Sequence, residues 1–324
     1  MQTPMTPDGA FTCGRGPLVD AITSFLAHGH TPHLGDIRAT LERTIDDAGP
    51  DAIGSMASRL SAAGADWEYY PRDPLARRIH HALAPCVLRH DPEVTGGEHL
   101  NRLASEPLLL IANHLSYSDA NVLDVALQNA GHQSLCDRLT VVAGPKVYSN
   151  VRRRFSSLCF GTIKVPQNSG RSSEEAVMHP REVARAARRA IEVAQDRLRL
   201  GEALLVFAEG SRSRSGDMQP FLAGVARYVD CAPSWVVPIG LAGTDRLFPI
   251  DGEALNPVPI TVSIGRPVPA HVLVERSRGN RRTMMDCLGF AIAALLPPEY
   301  RGAYKSEGGE AQGPRRLASE LFGS

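Results

Sequence analysis

The sequence predicts an α/β fold preceded by an N-terminal helical region. Three observations carry this. Apolar residues recur at helical spacing up to about residue 90, as Leu18, Ile22, Phe25 and Leu26 do, and again Ile37, Leu41 and Ile45. From residue 100 onward short apolar runs alternate with helix-length amphipathic stretches, the pattern of an α/β core. No run approaches the roughly 18 apolar residues of a membrane-spanning helix, the longest being Leu108–Ala112 and Ala291–Leu296.

Taken in order, residues 1–17 are rich in Pro, Gly and Thr and are expected to be disordered. Residues 18–92 read as helices punctuated by Gly29, Gly35, Gly49-Pro50 and Gly64. The last of these helices, Pro74 to about Leu88, sets Leu75, Ile79 and Leu83 beside Arg77, Arg78 and Arg89. It reads as a packed linker helix with a basic face, the alternative being a helix on a membrane surface. The α/β domain is expected over residues 93–298. Strands are predicted at Pro107–Ala112, Leu139–Ala143, Thr162–Val165, Ala203–Phe207, Val236–Leu241 and Pro259–Ile264. Helices are predicted at Ser118–Ala130, Val147–Leu158, within Glu174–Leu200 with Gly201 as the stop, at Phe221–Val229 and at about Arg282–Leu296. Residues 299–324 form a polar tail, expected to be flexible.

Composition narrows the class. Apolar residues make up 43% and charged residues 22%, ordinary for a globular protein. Lys+Arg and Asp+Glu are both 35, so there is no basic excess of the kind nucleic-acid binders carry. The six cysteines are scattered without a Cys-x-x-Cys pair, and the N-terminus lacks the charged and apolar regions of a secretory leader. Free thiols in a cytoplasmic protein are the expectation.

Two clusters carry the chemistry. The first is Asn113-His114-Leu115-Ser116-Tyr117-Ser118-Asp119, just past a predicted strand. A His with a carboxylate five positions on, across a turn into a helix, can form a general base and its orienter. The second is Phe207-Ala208-Glu209-Gly210-Ser211-Arg212-Ser213, past another strand. Gly210 suits a turn, Glu209 can accept from the hydroxyls of a polyol, and Arg212 can grip a phosphate bidentately. In an open α/β sheet both clusters fall at the carboxyl ends of strands, where ligands bind.

Together with Gly161-Thr162-Ile163-Lys164-Val165-Pro166-Gln167 and Val237-Pro238-Ile239-Gly240-Leu241, these clusters give four ordered blocks. In them the chain resembles the glycerophosphate acyltransferase superfamily, the lysophosphatidate and glycerol-3-phosphate acyltransferases, over roughly residues 100–270. The resemblance implies a mixed sheet flanked by helices. It also implies that His114 deprotonates an acceptor hydroxyl that attacks an acyl thioester directly, with Asp119 orienting it. Glu209, Gly210 and Ser211 would contact the glycerol part and Arg212 its phosphate, with no metal, no cofactor and no covalent acyl-enzyme. The sequence departs from the family pattern at Ala208, where Pro is usual, at Ser211, where Thr is usual, and at Gln167, where an arginine commonly grips phosphate. Lys146, Lys164, Arg171 or one of Arg152, Arg153 and Arg154 are the candidates to supply that charge, and Lys146 and Arg171 enter the expected substrate site.

The expected function is therefore acyl transfer from acyl-CoA or acyl carrier protein to glycerol-3-phosphate or 1-acyl-sn-glycerol-3-phosphate in phospholipid biosynthesis. The expected location is cytoplasmic, with peripheral contact to the cytoplasmic membrane face for a lysolipid acceptor. The arginines of the Arg181–Arg199 stretch offer a face for an acidic carrier protein, CoA phosphates or anionic lipid, or simply a solvated face. Two other readings stand: an acceptor that is not a glycerophosphate, which Gln167 motivates, and a catalytically silent lipid-binding protein.

Overall fold

The computed structural model describes residues 14–26, 33–61, 69–88, 90–144, 147, 151–166, 179–247, 256–305 and 311–323. Four helices come first: α1 (Arg15–Leu26), α2 (Leu34–Asp46), α3 (Pro50–Ser61) and α4 (Pro74–Leu88). Local chemistry sets the start of α4. Asp73 Oδ1 accepts from the backbone N–H of Leu75 at 2.9 Å and of Ala76 at 3.0 Å, and Pro74 opens the helix, where its missing N–H costs nothing. The predicted stripe Leu75, Ile79 and Leu83 is buried in the core, so the apolar face of α4 is not available to a membrane surface.

Among the described residues nine strands form one sheet: β1 (Tyr69–Tyr70), β2 (Glu93–Thr95), β3 (Leu108–Ala112), β4 (Leu139–Ala143), β5 (Gly161–Lys164), β6 (Ala203–Phe207), β7 (Trp235–Ala242), β8 (Thr261–Ile264) and β9 (Val268–Pro269). The order is β1-β5-β4-β6-β3-β7-β8-β2, with β9 beside β7. Strands β5, β4, β6, β3 and β7 run parallel, while β1, β8 and β9 join them antiparallel, so the sheet is mixed, as expected. The central strands are apolar on both faces because both faces are covered. Leu108, Leu110 and Ala112 of β3 share a core with α1–α4. Leu109 and Ile111 face the other layer, which contains the long helix Pro180–Arg199 and the helix Arg281–Ala294.

The N-terminal helices cover one face of the sheet, and Tyr69–Tyr70 supplies its edge strand. Two expectations are corrected. The expected disorder of residues 1–17 does not hold for its last part, since α1 already begins at Arg15; residues 1–13 lie outside the described set. The expected flexible tail folds: a helix spans Gln312–Phe322 and buries Leu317, Ala318, Leu321 and Phe322 against the core. Its polar composition hid an amphipathic stripe only one face wide, enough to bind it down. No helix among the described residues is long and apolar enough to cross a membrane.

Candidate active site

The register of the sheet assembles the site. Ala112 at the end of β3 pairs with Phe207 at the end of β6, so the residues two positions beyond each strand, His114 and Glu209, become neighbours. Asn113 closes the other side: its Nδ2 donates to Leu241 O at 2.9 Å and its Oδ1 accepts from Leu241 N at 2.8 Å. The buried amide thus continues the β3–β7 ladder by one rung and fixes the point at which the chain leaves the sheet.

His114 and Asp119 meet as the sequence predicts. Asp119 is fully buried as the first residue of α5 (Asp119–Asn129), where the helix N-terminus favours a negative charge. Its Oδ2 accepts from His114 Nδ1 at 2.8 Å, Leu115 N at 2.7 Å and Ser116 N at 3.0 Å. A carboxylate so placed only accepts, so Nδ1 carries the proton and Nε2 holds the lone pair. The ring stacks on Phe207 with centroids 4.2 Å apart, and the side chain keeps 14% of its surface exposed. A neutral imidazole with a free lone pair, oriented from behind by a buried carboxylate, is able to take a proton from a hydroxyl.

Glu209 has a different place from the one expected. It is fully buried. Its Oε1 accepts from His114 N at 2.8 Å and its Oε2 from Gln219 N at 2.8 Å. Burial pushes its carboxyl up to about 7, against the pull of those two backbone N–H groups. Glu209 clamps the backbone of His114, and both its oxygens are engaged within the chain, so direct contact with a polyol is corrected to a positioning role. The same loop holds His114 from its other end, where Ser213 N donates to His114 O at 2.7 Å.

Gly210 has φ +72°, and a Cβ there would stand 2.3 Å from Leu222 Cδ1, so the turn requires glycine. Ser211 is exposed beside it. The Arg212 guanidinium lies 4.3 Å over the ring of Tyr117, which belongs to the His114 loop. Arg212 is thereby tethered to the His114 loop, and among the described residues no carboxylate pairs with it.

Of the charges considered as a substitute for the usual arginine, Lys164 is buried with its ammonium 4.1 Å over the Tyr70 ring, and Arg154 is buried with its guanidinium donating to Leu60 O. Both serve the N-terminal layer. Lys146, Gln167 and Arg171 lie outside the described residues. The sequence did not single out Phe207 as the ring behind His114, nor Gln219 as a partner of Glu209. Gln219 acts through its backbone, which leaves no mark on residue type.

A His–Asp pair at one strand end of an α/β sheet and a cationic turn at the next form an arrangement able to activate a hydroxyl beside an anionic group. A model of the acyltransferase family matches residues 91–242, which contain His114, Asp119, Glu209 and Arg212. Over these residues the chain is similar to the acyltransferase family. It is similar to a 1-acyl-sn-glycerol-3-phosphate acyltransferase of Chlamydomonas reinhardtii, 31% identical over 128 residues, which are 39% of this chain and 36% of that protein. The match thus spans about a third of the length of the curated relative. Among solved structures the chain is similar to the LPA acyltransferase PlsC of Thermotoga maritima, at a TM-score of 0.46 and 18% identity, over 84% of this chain and 92% of that one.

Proposed function

We propose that the protein transfers a fatty acyl group from an acyl thioester, acyl-CoA or acyl carrier protein, to a hydroxyl of glycerol-3-phosphate or 1-acyl-sn-glycerol-3-phosphate. The observation that carries this reading is the His114–Asp119 pair, bonded at 2.8 Å through Nδ1, beside the Arg212 turn. His114 Nε2 takes the proton of the acceptor hydroxyl as its oxygen attacks the thioester carbonyl. The tetrahedral intermediate collapses, the C–S bond breaks, and the thiolate leaves with the proton that His114 returns. Asp119 stabilises the imidazolium formed between the two steps. The N–H groups of Leu115 and Ser116 already serve Asp119, so they are not the donors that steady the oxyanion. Arg212 faces the acceptor phosphate. The name of the Chlamydomonas relative supports a lysolipid acceptor.

The test is a mass-spectrometric acyl-transfer assay. It pairs palmitoyl-CoA and palmitoyl-acyl carrier protein with glycerol-3-phosphate, lysophosphatidate and a phosphate-free lysolipid. Product on a phosphorylated acceptor, lowered about 10²–10⁴-fold by His114→Ala, is the expected result. Product confined to the phosphate-free lysolipid would overturn the acceptor assignment, and near-normal turnover in His114→Ala would overturn the mechanism.

A further inference from the structure

A second cluster of ligating side chains lies away from the His114 loop, between α4 and α5. His80 and His81 are consecutive on α4, and Asp124 is the sixth residue of α5. His80 Nε2 and His81 Nε2 each stand 3.2 Å from Asp124 Oδ2. The Asp124 side chain is fully buried, and those of His80 and His81 are 10% and 22% exposed. At that distance aligned hydrogen bonds would be expected. Yet all three atoms are buried without a hydrogen bond of good geometry. All three ligand atoms lie within 4.8 Å of one another.

We propose that His80 Nε2, His81 Nε2 and Asp124 Oδ2 bind one divalent transition-metal ion of the zinc type between α4 and α5. Donors about 2.0–2.2 Å from a tetrahedral ion sit roughly 3.3 Å from one another, close to the two 3.2 Å separations here. Two imidazoles and one carboxylate suit zinc and its neighbours better than calcium or magnesium, which take oxygen ligands.

The surroundings have the form of an outer ligand shell. Arg77 Nη1 donates to Asp124 Oδ1 at 3.1 Å, holding the carboxylate so that Oδ2 faces the imidazoles. Arg77 Nη2 reaches Asp137 Oδ1 at 3.2 Å, so this cation is doubly paired and does not repel the ion unopposed. His80 Nδ1 lies 3.4 Å from the Asn121 side-chain amide, whose other end meets Ser156 Oγ. Turning that amide over puts its oxygen on His80 Nδ1–H and its NH₂ on Ser156 Oγ, the pattern a metal-bound Nε2 requires.

His81 also lines an open hollow of about 570 Å³ together with Thr44, Asp47, Arg77, Gln128 and Gln133. The ion would tie α4 to the helix whose first residue orients the catalytic His, so its role is a brace and not a reactant.

The experiment uses the full chain, freed of metal by chelation and titrated with ZnCl₂ and CoCl₂. Expected are one equivalent of tight binding, the visible absorption of four-coordinate Co(II), and a rise in melting temperature with one equivalent of zinc. His81→Ala should weaken binding by about 10²-fold or more and abolish the melting shift, while His114→Ala should leave both unchanged. His81, the more exposed ligand, carries the test even where His80→Gln or Asp124→Asn fails to fold. Absence of stoichiometric binding to the wild type, or binding that His81→Ala leaves intact, would overturn the proposal. Neither result depends on acyl transfer, so this site and the proposed activity stand or fall separately.

Discussion

Glu209 carries the largest consequence of any single residue near the site. Its carboxyl is raised from 4.5 to about 7 because burial outweighs two backbone hydrogen bonds. A folded-state pKa above the unfolded value means that the native state binds the extra proton between those limits. Its contribution to stability is whole below about pH 4.5 and is lost as pH rises through about 7. Across that window the stability of wild type relative to Glu209→Gln should fall by roughly 1–3 kcal/mol, read from urea midpoints at a series of pH values. A flat difference would mean that Glu209 is ionised throughout. Arg212 makes a complementary prediction. Held over Tyr117 at 4.3 Å, it should serve the phosphate and not the reacting atoms. Arg212→Ala is therefore expected to raise KM about 10-fold or more for phosphorylated acceptors, with a smaller effect on a phosphate-free one; equal effects would remove it from the phosphate site. The His114–Asp119 pairing was legible in the sequence, because a turn of that length into a helix returns a carboxylate to the imidazole. Glu209's clamp on the backbone was not legible, because it depends on which strand lies beside β3.

Among the elements, the helix Gln312–Phe322 departs furthest from its sequence. Its residues are mostly polar, yet Leu317, Ala318, Leu321 and Phe322 lie on one face and are buried. They meet the helix Arg281–Ala294, in the layer that also holds Tyr304. The Tyr304 hydroxyl oxygen accepts from Phe221 N at 2.8 Å, and its ring packs against Phe221 and Phe290. The C-terminal segments thus back the loop that follows Glu209. Leu321→Ala should cost about 2–5 kcal/mol, measured by chemical denaturation. A loss within a few tenths of wild type would return the segment to the status of a loose tail. Helix α5 is the other element with more than one role. Its first residue orients His114 and its sixth, Asp124, reaches α4, and only the first of these could be read from motif and spacing.

For the molecule as a whole, the decisive fact is one sheet with both faces covered. The N-terminal helices share the core that includes Leu108, Leu110, Val237 and Ile239, and so cannot unfold without exposing the sheet beneath the site. Leu41→Ala in α2 and Leu321→Ala near the C-terminus should therefore lower one and the same unfolding transition, monitored together by far-UV circular dichroism and by tryptophan fluorescence. Two separated transitions would show that the helical region folds by itself. The alternation of apolar runs with amphipathic stretches determined the class of fold and six of the nine described strands to within a residue or two, and local spacing determined the pairing of His114 with Asp119, because each depends on neighbours along the chain. Only the tertiary structure decided that the N-terminal helices and the C-terminal segment pack in the layers on the two faces of one sheet, that Glu209 supports His114 from an adjacent strand, and that His80, His81 and Asp124 converge. The reason is physical. Those relations join residues far apart in sequence through strand order and layer packing, which local periodicity does not encode.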